Sequence, residues 1–183
     1  MLTIMLVIFA AVMPGTAALI FFKRPRREED ELVRVRESRA VAVMGGLLWA
    51  FALGMYLYCL LAPGRLYTTE SGAVNVAVFL GMGLAFGAAA LLTYFVKCII
   101  ATGRGVLAVG MLGGRELLAW HNIIKLQEAN GRLLLLDAKG RQCSVGGNQE
   151  QLRQFVLLAK ERLRPGVGAA ALKSMEAKLS KSK

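Results

Sequence analysis

The sequence predicts a chain of mixed class: an α-helical membrane part of three transmembrane helices, then a small cytoplasmic α+β module with an antiparallel sheet or partial barrel capped by a C-terminal helix. Three observations lead there. Hydrophobic residues make up 56% of the 183 residues, yet the formal net charge is +11, so apolar and basic residues must occupy different parts of the chain; a soluble globule this basic is rarely this apolar. Apolar blocks at about 2–22, 40–62 and 73–96 each reach the roughly 20 residues that cross a bilayer as a helix. Beyond Gly105 the pattern turns to short apolar runs separated by Gly-Gly, Asn-Gly and Lys-Gly, the punctuation of hairpins.

None of the three blocks contains Asp, Glu, Lys, Arg or His, whereas the core helix of a soluble protein carries charge on its outer face. The first block is read as an anchor and not as a signal peptide, because no Lys or Arg precedes it and the cluster Lys23, Arg24, Arg26, Arg27 follows it. Residues 23–39 hold seven Lys or Arg, 63–72 only Arg65, and 97–183 fifteen. Cytoplasmic flanks are the basic ones, so the N-terminus is expected outside, the first loop and C-terminal part inside, and the chain in the inner membrane as a multi-pass protein.

Within the spans the polar side chains are Thr3, Thr16, Asn75 and Thr93; ionisable groups at depth, which transport requires, are missing from the sequence there. Small residues recur at helical spacing: Gly46, Ala50 and Gly54 in the second span, Gly83 and Gly87 in the third. Such ridges let backbones approach closely, so spans two and three are expected to pack as an antiparallel pair through these residues. Pro14 can kink the first span. Tyr56, Tyr58, Tyr67, Tyr94 and Phe95 suit interfacial anchoring. Cys59, Cys98 and Cys143 fit neither a disulfide framework nor a zinc pattern.

The first loop, KRPRREEDELVRVRESR, reads as a helix that continues into span two, with Asp30 and Arg34 at i,i+4. The alternative is a strand, since ELVRVR alternates apolar and basic residues and could add to a sheet edge. In the module, GVLAVGML, RELLAWHNIIKLQEA, RLLLLDA and RQCSVGG read as four strands, with Asn130-Gly131 the strongest hairpin signal. From Asn148 to Leu163 the chain reads as a capped amphipathic helix whose Leu152, Phe155, Val156, Ala159 and Leu163 share one face. Trp120, Ile124 and Phe155 are the expected core, Trp120 and Ile124 by alternation along the second strand; Ile123 falls out of that register, which a bulge at Asn122 would repair.

A run of hairpins closed by one helix, carried on Thr102-Gly103-Arg104-Gly105-Val106, Gly114-Arg115-Glu116, Trp120-His121-Asn122-Ile123, Leu133 to Leu136 and the helix from Asn148, resembles the bacterial pleckstrin-homology-like (PH-like) domains of small membrane proteins. The resemblance covers about residues 100–164. It implies a PH-like domain at 99–164 after a three-span region at 1–98, with 165–183 a basic tail. Many members have no assigned activity. The usual seven strands exceed the four or five read here, and ELVRVR could supply one. The turn corresponding to the basic loop of phosphoinositide-binding relatives holds only Gly113, Gly114 and Arg115, which argues against a specific inositol phosphate pocket.

His121, the only histidine, lacks the second ligand or base partner that metal or acid–base chemistry needs, so no catalytic residue, metal or cofactor is expected. Residues 97–183 are nine net positive, with fifteen basic and six acidic side chains, which draws them to anionic headgroups. Lys23, Arg24, Arg26, Arg27, Lys97 and Arg104 are the candidate headgroup contacts. No stacking aromatics are interleaved with the charge, against nucleic acid, and no small-molecule substrate is evident. In the tail, Leu172, Met175 and Leu179 share a helical side, suiting either a surface-lying amphipathic helix or a frayed end. The expected function is non-enzymatic presentation of a module that binds protein or anionic lipid as a scaffold. The alternative is an accessory subunit of a larger membrane complex or homo-oligomer packed through its helices.

Overall fold

The computed structural model describes residues 2–62 and 70–181; Arg65 and Tyr67 of the second loop and the terminal Lys183 lie outside the described residues. The chain forms two compact units, Met1–Arg24 with Arg39–Phe95, and Pro25–Ser38 with Val96–Lys183.

The first unit is helical: α1 (Leu2–Lys23), α2 (Arg39–Leu61) and α3 (Glu70–Phe95). Among the described residues two helices, Arg39–Leu61 and Val74–Phe95, are long and apolar enough to cross a membrane, and Phe9–Lys23 of α1 is a shorter apolar stretch. Thr16 and Thr93 donate their hydroxyls to the carbonyls of Val12 and Ala89, at 2.7 Å each, so these polar groups are satisfied inside their own helices. Gly45 lies against Gly87 and Leu91, while Gly83 lies against Ala52 and Leu48; residue numbers rise on one helix as they fall on the other, so α2 and α3 run antiparallel.

Gly83 and Gly87 therefore face α2, and a β-carbon at Gly87 would run into the Trp49 ring. The contact ridge on α2 is different from the one expected. Gly46 and Gly54 have nothing within 4 Å of a built β-carbon, and Ala50 is exposed. The buried side is Gly45, Ala52, Tyr56 and Cys59, which starts one position before Gly46 and includes no member of the small-residue series. Trp49 decides the rotation: its indole N–H donates to Leu84 O at 3.2 Å and its ring fills the space Gly87 leaves. Phe9 of α1 stacks on Tyr56 with ring centroids 4.9 Å apart, so all three helices share an apolar cluster.

Among the described residues the second unit has seven strands: β1 (Glu31–Arg36), β2 (Cys98–Thr102), β3 (Gly105–Val109), β4 (Arg115–Ala119), β5 (Ile123–Ala129), β6 (Arg132–Asp137) and β7 (Gln142–Val145). They form two antiparallel sheets in the orders β1-β2-β3-β4 and β5-β6-β7. Two helices, α4 (Gln149–Arg162) and α5 (Ala169–Lys181), follow. Both sheets and both helices contribute to one core.

The first loop is thus a strand and not a helix. Val33 and Val35 turn into the core and Arg34 and Arg36 turn away, an arrangement with period two that a helix would scatter. The strand is pinned at both ends. Arg34 binds Glu31 through Nε at 2.8 Å and reaches the carbonyls of Pro25 and Arg26 at 3.2 and 2.9 Å. Arg36 N–H donates to Gln151 Oε1 at 2.9 Å, and Asn148 N–H donates to Arg36 O at 2.9 Å. Gln151 therefore serves β1 and does not close a capping box, while Asn148 caps α4 as its position suggests, accepting from Glu150 N at 3.0 Å.

The long strand expected around Trp120 is two strands. A 3-10 turn, Trp120–Asn122, carries the chain from one sheet to the other and resets the alternation, so Ile123 is buried and Ile124 is 56% exposed. Ile124 is accordingly a surface residue. Trp120 and Phe155 are core, their ring centroids 6.2 Å apart, and the indole N–H donates to Thr102 O at 2.9 Å. At Gly105 a side chain would strike the Leu118 carbonyl, which explains the glycine that leads β3. Asn130 and Gly131 take φ of 52° and 73°, the left-handed pair a type I′ hairpin demands.

The basic tail is also part of the fold. Leu172 and Met175 of α5 are buried in the core, Lys178 pairs with Glu128 at 2.9 Å, and Lys160 pairs with Glu176. Its apolar stripe is used against β5 and α4, leaving none for a membrane surface.

Candidate functional site

Strand register fixes which residues share an end of the four-stranded sheet. One terminal row is Arg36, Cys98, Val109 and Arg115. β1 and β3 run toward this row and β2 starts from it, so Ser38, Lys97 and the β3–β4 turn at 110–114 all lie beyond it. Arg39 opens α2 and Phe95 closes α3, so the chain leaves and re-enters the module at this end. The opposite end carries Glu31, Thr102 and the β2–β3 turn with Arg104.

At the first end the space between the sheets opens as a cleft of about 550 Å³, with Ile99 and Ala108 on its floor and Lys97, Arg115, Glu116, Gln142 and Ser144 around it. Lys97 Nζ stands 3.5 Å from Glu37. The same carboxylate holds Arg132 at 3.0 Å, so Glu37, on the β1–α2 junction, ties the two sheets together here. Arg115 lines the rim with its backbone side toward the cleft and donates its guanidinium to Glu28 Oε1 at 2.9 Å on the outer face of the sheet; with the two side chains 51% and 37% exposed, such a pair contributes only about 0–1 kcal/mol.

The β6–β7 turn beside the cleft is stapled by Asp137. Its buried carboxylate accepts from Lys139 N at 2.8 Å, Arg141 N at 2.9 Å and Arg141 Nε at 2.7 Å. Burial alone would raise its pKa, but these backbone and guanidinium donors hold it below the usual carboxylate range. The turn orients β7, whose Cys143 lies beneath the cleft, buried. Burial, helped by the Glu116 carboxylate and weakly opposed by Lys97, pushes this thiol up to about 12. It is a neutral thiol at pH 7, without the thiolate a nucleophile needs. The cleft thus carries Lys97 and Arg115, each paired with a carboxylate, together with Glu116, Gln142 and Ser144, around an unreactive floor.

The expected headgroup contacts separate in space. Lys23 and Arg24 are exposed where α1 ends. Arg26 and Arg27 belong to a segment that passes beside the outer face of the first sheet, where Arg27, Glu28, Glu29, Asp30, Thr102 and Arg104 border a second depression of about 510 Å³. Arg104 lies at the opposite end of the sheet from Lys97: the five-residue strand between them alone spans roughly 13 Å at strand rise, and Arg104 faces Asp30 at 3.6 Å. Nearness in sequence concealed the reversal. His121 is exposed on the 3-10 turn, and among the described residues no three His, Cys, Asp or Glu side chains gather as metal ligands. Gln142 and Ser144 are not marked by the sequence, and Arg115 stands there only as the one basic residue of its turn, because hairpin partners are brought together only by register. No protein-family model matches the chain, and neither a curated protein nor a solved structure matches it.

Proposed function

We propose that this is an inner-membrane protein with three membrane-crossing helices and a PH-like cytoplasmic module, and that the module binds anionic headgroups at the membrane face as a non-enzymatic scaffold. The observation that carries this is the shared end of the first sheet: the cleft with Lys97 and Arg115 opens where the chain runs into α2 and out of α3. Covalent continuity keeps that end within a few residues of helices that are apolar enough to span a bilayer. Four- and three-stranded antiparallel sheets over one core with a helix behind them support the PH-like description, with β1 completing the seven strands. α1 joins as the third crossing because its end carries Lys23 and Arg24, the sign of a cytoplasmic flank.

The test is lipid enrichment around the full chain in vesicles that mix zwitterionic and anionic phospholipid, read with spin-labelled lipids of each headgroup. Anionic lipid is expected to be enriched over zwitterionic, the excess to fall with added salt, and to fall further in a Lys23→Gln, Arg24→Gln, Lys97→Gln chain. Equal enrichment of both headgroups contradicts the proposal.

A second reading, self-association through the helices, is favoured by one observation: the side of α2 that carries Gly46, Ala50 and Gly54 is not used by α3. The mass of the protein in mild detergent separates the two, since a monomer excludes this alternative.

A further inference from the structure

The β3–β4 turn, Gly110-Met111-Leu112-Gly113-Gly114, is unlike other turns of the module. It carries two large apolar side chains, with Leu112 72% exposed and Met111 38% exposed. Glycines flank the pair, and Gly113 takes φ of 81°, so the backbone reverses tightly: Gly110 N–H donates to Gly114 O at 2.7 Å and Gly113 N–H to Gly110 O at 2.9 Å. Apolar residues held at the tip of an ordered reversal contribute nothing to the core. Exposed as they are, they lose free energy in water.

Register says what lies beside them. Val109 is paired with Cys98, so the turn that follows Val109 and residues Val96 and Lys97 that precede Cys98 lie beyond the same row. Val96 directly follows the aromatic pair Tyr94 and Phe95, in edge contact at 4.9 Å, at the end of α3. Aromatic residues at a span end mark the membrane–water interface. Within the sheet, β3 is the hydrogen-bonded neighbour of β2, so the turn leaves the module at the same end as the chain that comes from α3. Arg115 follows the turn and Lys97 faces the cleft behind it, which gives an apolar tip with cations at its base.

We infer that the β3–β4 turn is a wedge that dips Met111 and Leu112 into the headgroup–acyl boundary of the bilayer that α2 and α3 cross, with Lys97 and Arg115 at phosphate level behind it. The inference rests on the proposed membrane reading and deepens it by naming the segment that enters the lipid. The wedge makes the module lie against the membrane and not hang from its chain junctions, and it leaves the Arg104 end of the sheet in water.

The experiment labels the full chain in vesicles of mixed zwitterionic and anionic phospholipid with an environment-sensitive fluorophore at Leu112→Cys and, separately, at Gly103→Cys. Gly103 is exposed in the β2–β3 turn at the other end of the same sheet, with open space around it. The three native cysteines are buried, and the unsubstituted chain gives the background labelling. At position 112 the probe is expected to shift to the blue and to lose emission to shallow lipid-borne quenchers; at position 103 it is expected to do neither. A water-exposed probe at 112 on a chain that floats with the vesicles overturns the wedge alone, and assigns the tip to a protein partner or to none. Lipid quenching at both positions overturns the register argument. A chain that does not float with vesicles overturns the membrane reading itself.

Discussion

Gly87 has a role set by one neighbour. Any β-carbon there meets the Trp49 ring, and Trp49 is held in turn by its hydrogen bond to Leu84 O. Gly87→Leu is expected to destabilise the helical unit by about 1–3 kcal/mol, the usual cost of overpacking, read as a lowered unfolding temperature in detergent. Gly54→Leu, at a position with open space around it, is expected to leave that temperature unchanged; equal losses for the two would show that Gly87 is not a contact. This contrast also explains what the sequence concealed. Gly45 and Gly46 are adjacent, and both begin a plausible ridge, but only the ridge from Gly45 brings Trp49 opposite Gly87. A search for small residues selects the wrong neighbour because the decisive residue is large. Ile123 and Ile124 pose the same problem in the sheet: the 3-10 turn shifts the alternation by one residue, and one residue changes the face.

At the scale of elements, α4 was legible throughout, since Asn148 caps it and its apolar residues repeat on one face. β1 and α5 were not. ELVRVR satisfies both periodicities over so short a run, and the choice is made by partners distant in sequence, β2 on one side and Gln151 and Asn148 on the other. The amphipathic stripe of α5 fits a membrane surface as well as a protein core, and only the open side of β5 decides between them. Met175→Ala therefore costs about 2–5 kcal/mol of module stability, as truncation of a buried Met does, whereas Leu157→Ala on α4, at a side chain 51% exposed, is expected to cost much less. Denaturant unfolding of the full chain, followed by Trp120 fluorescence, measures both. Equal and small effects would mean that α5 is not docked. Gly147 supports the same closure: its φ of +136° and the nearness of Arg36 O leave no room for a side chain where β7 turns into α4.

For the whole molecule, the order of elements is the main finding. The module is not appended to the membrane part; the helical pair α2–α3 is inserted between two neighbouring strands of one sheet, β1 and β2. The division read from the sequence, with the module beginning after the last span, followed hydropathy and so left β1 on the membrane side. The module's sheet can close only when the two ends of the helical pair come together, which, in the proposed membrane reading, links insertion of that pair to folding of the module and gives the cleft its position at the chain junctions. The direct test uses the register itself, in which Arg36 is opposite Cys98; facing residues of an antiparallel pair stand about 4.5–5.5 Å apart at Cα, within disulfide reach. In membranes holding the full chain, mild oxidation of Arg36→Cys is predicted to link the introduced thiol to Cys98, seen as one joined peptide by mass spectrometry, while Arg24→Cys gives no such link. An introduced thiol at position 36 that stays free and reactive under the same oxidation would contradict the inserted-hairpin architecture and, with it, the proposal that the cleft faces the membrane.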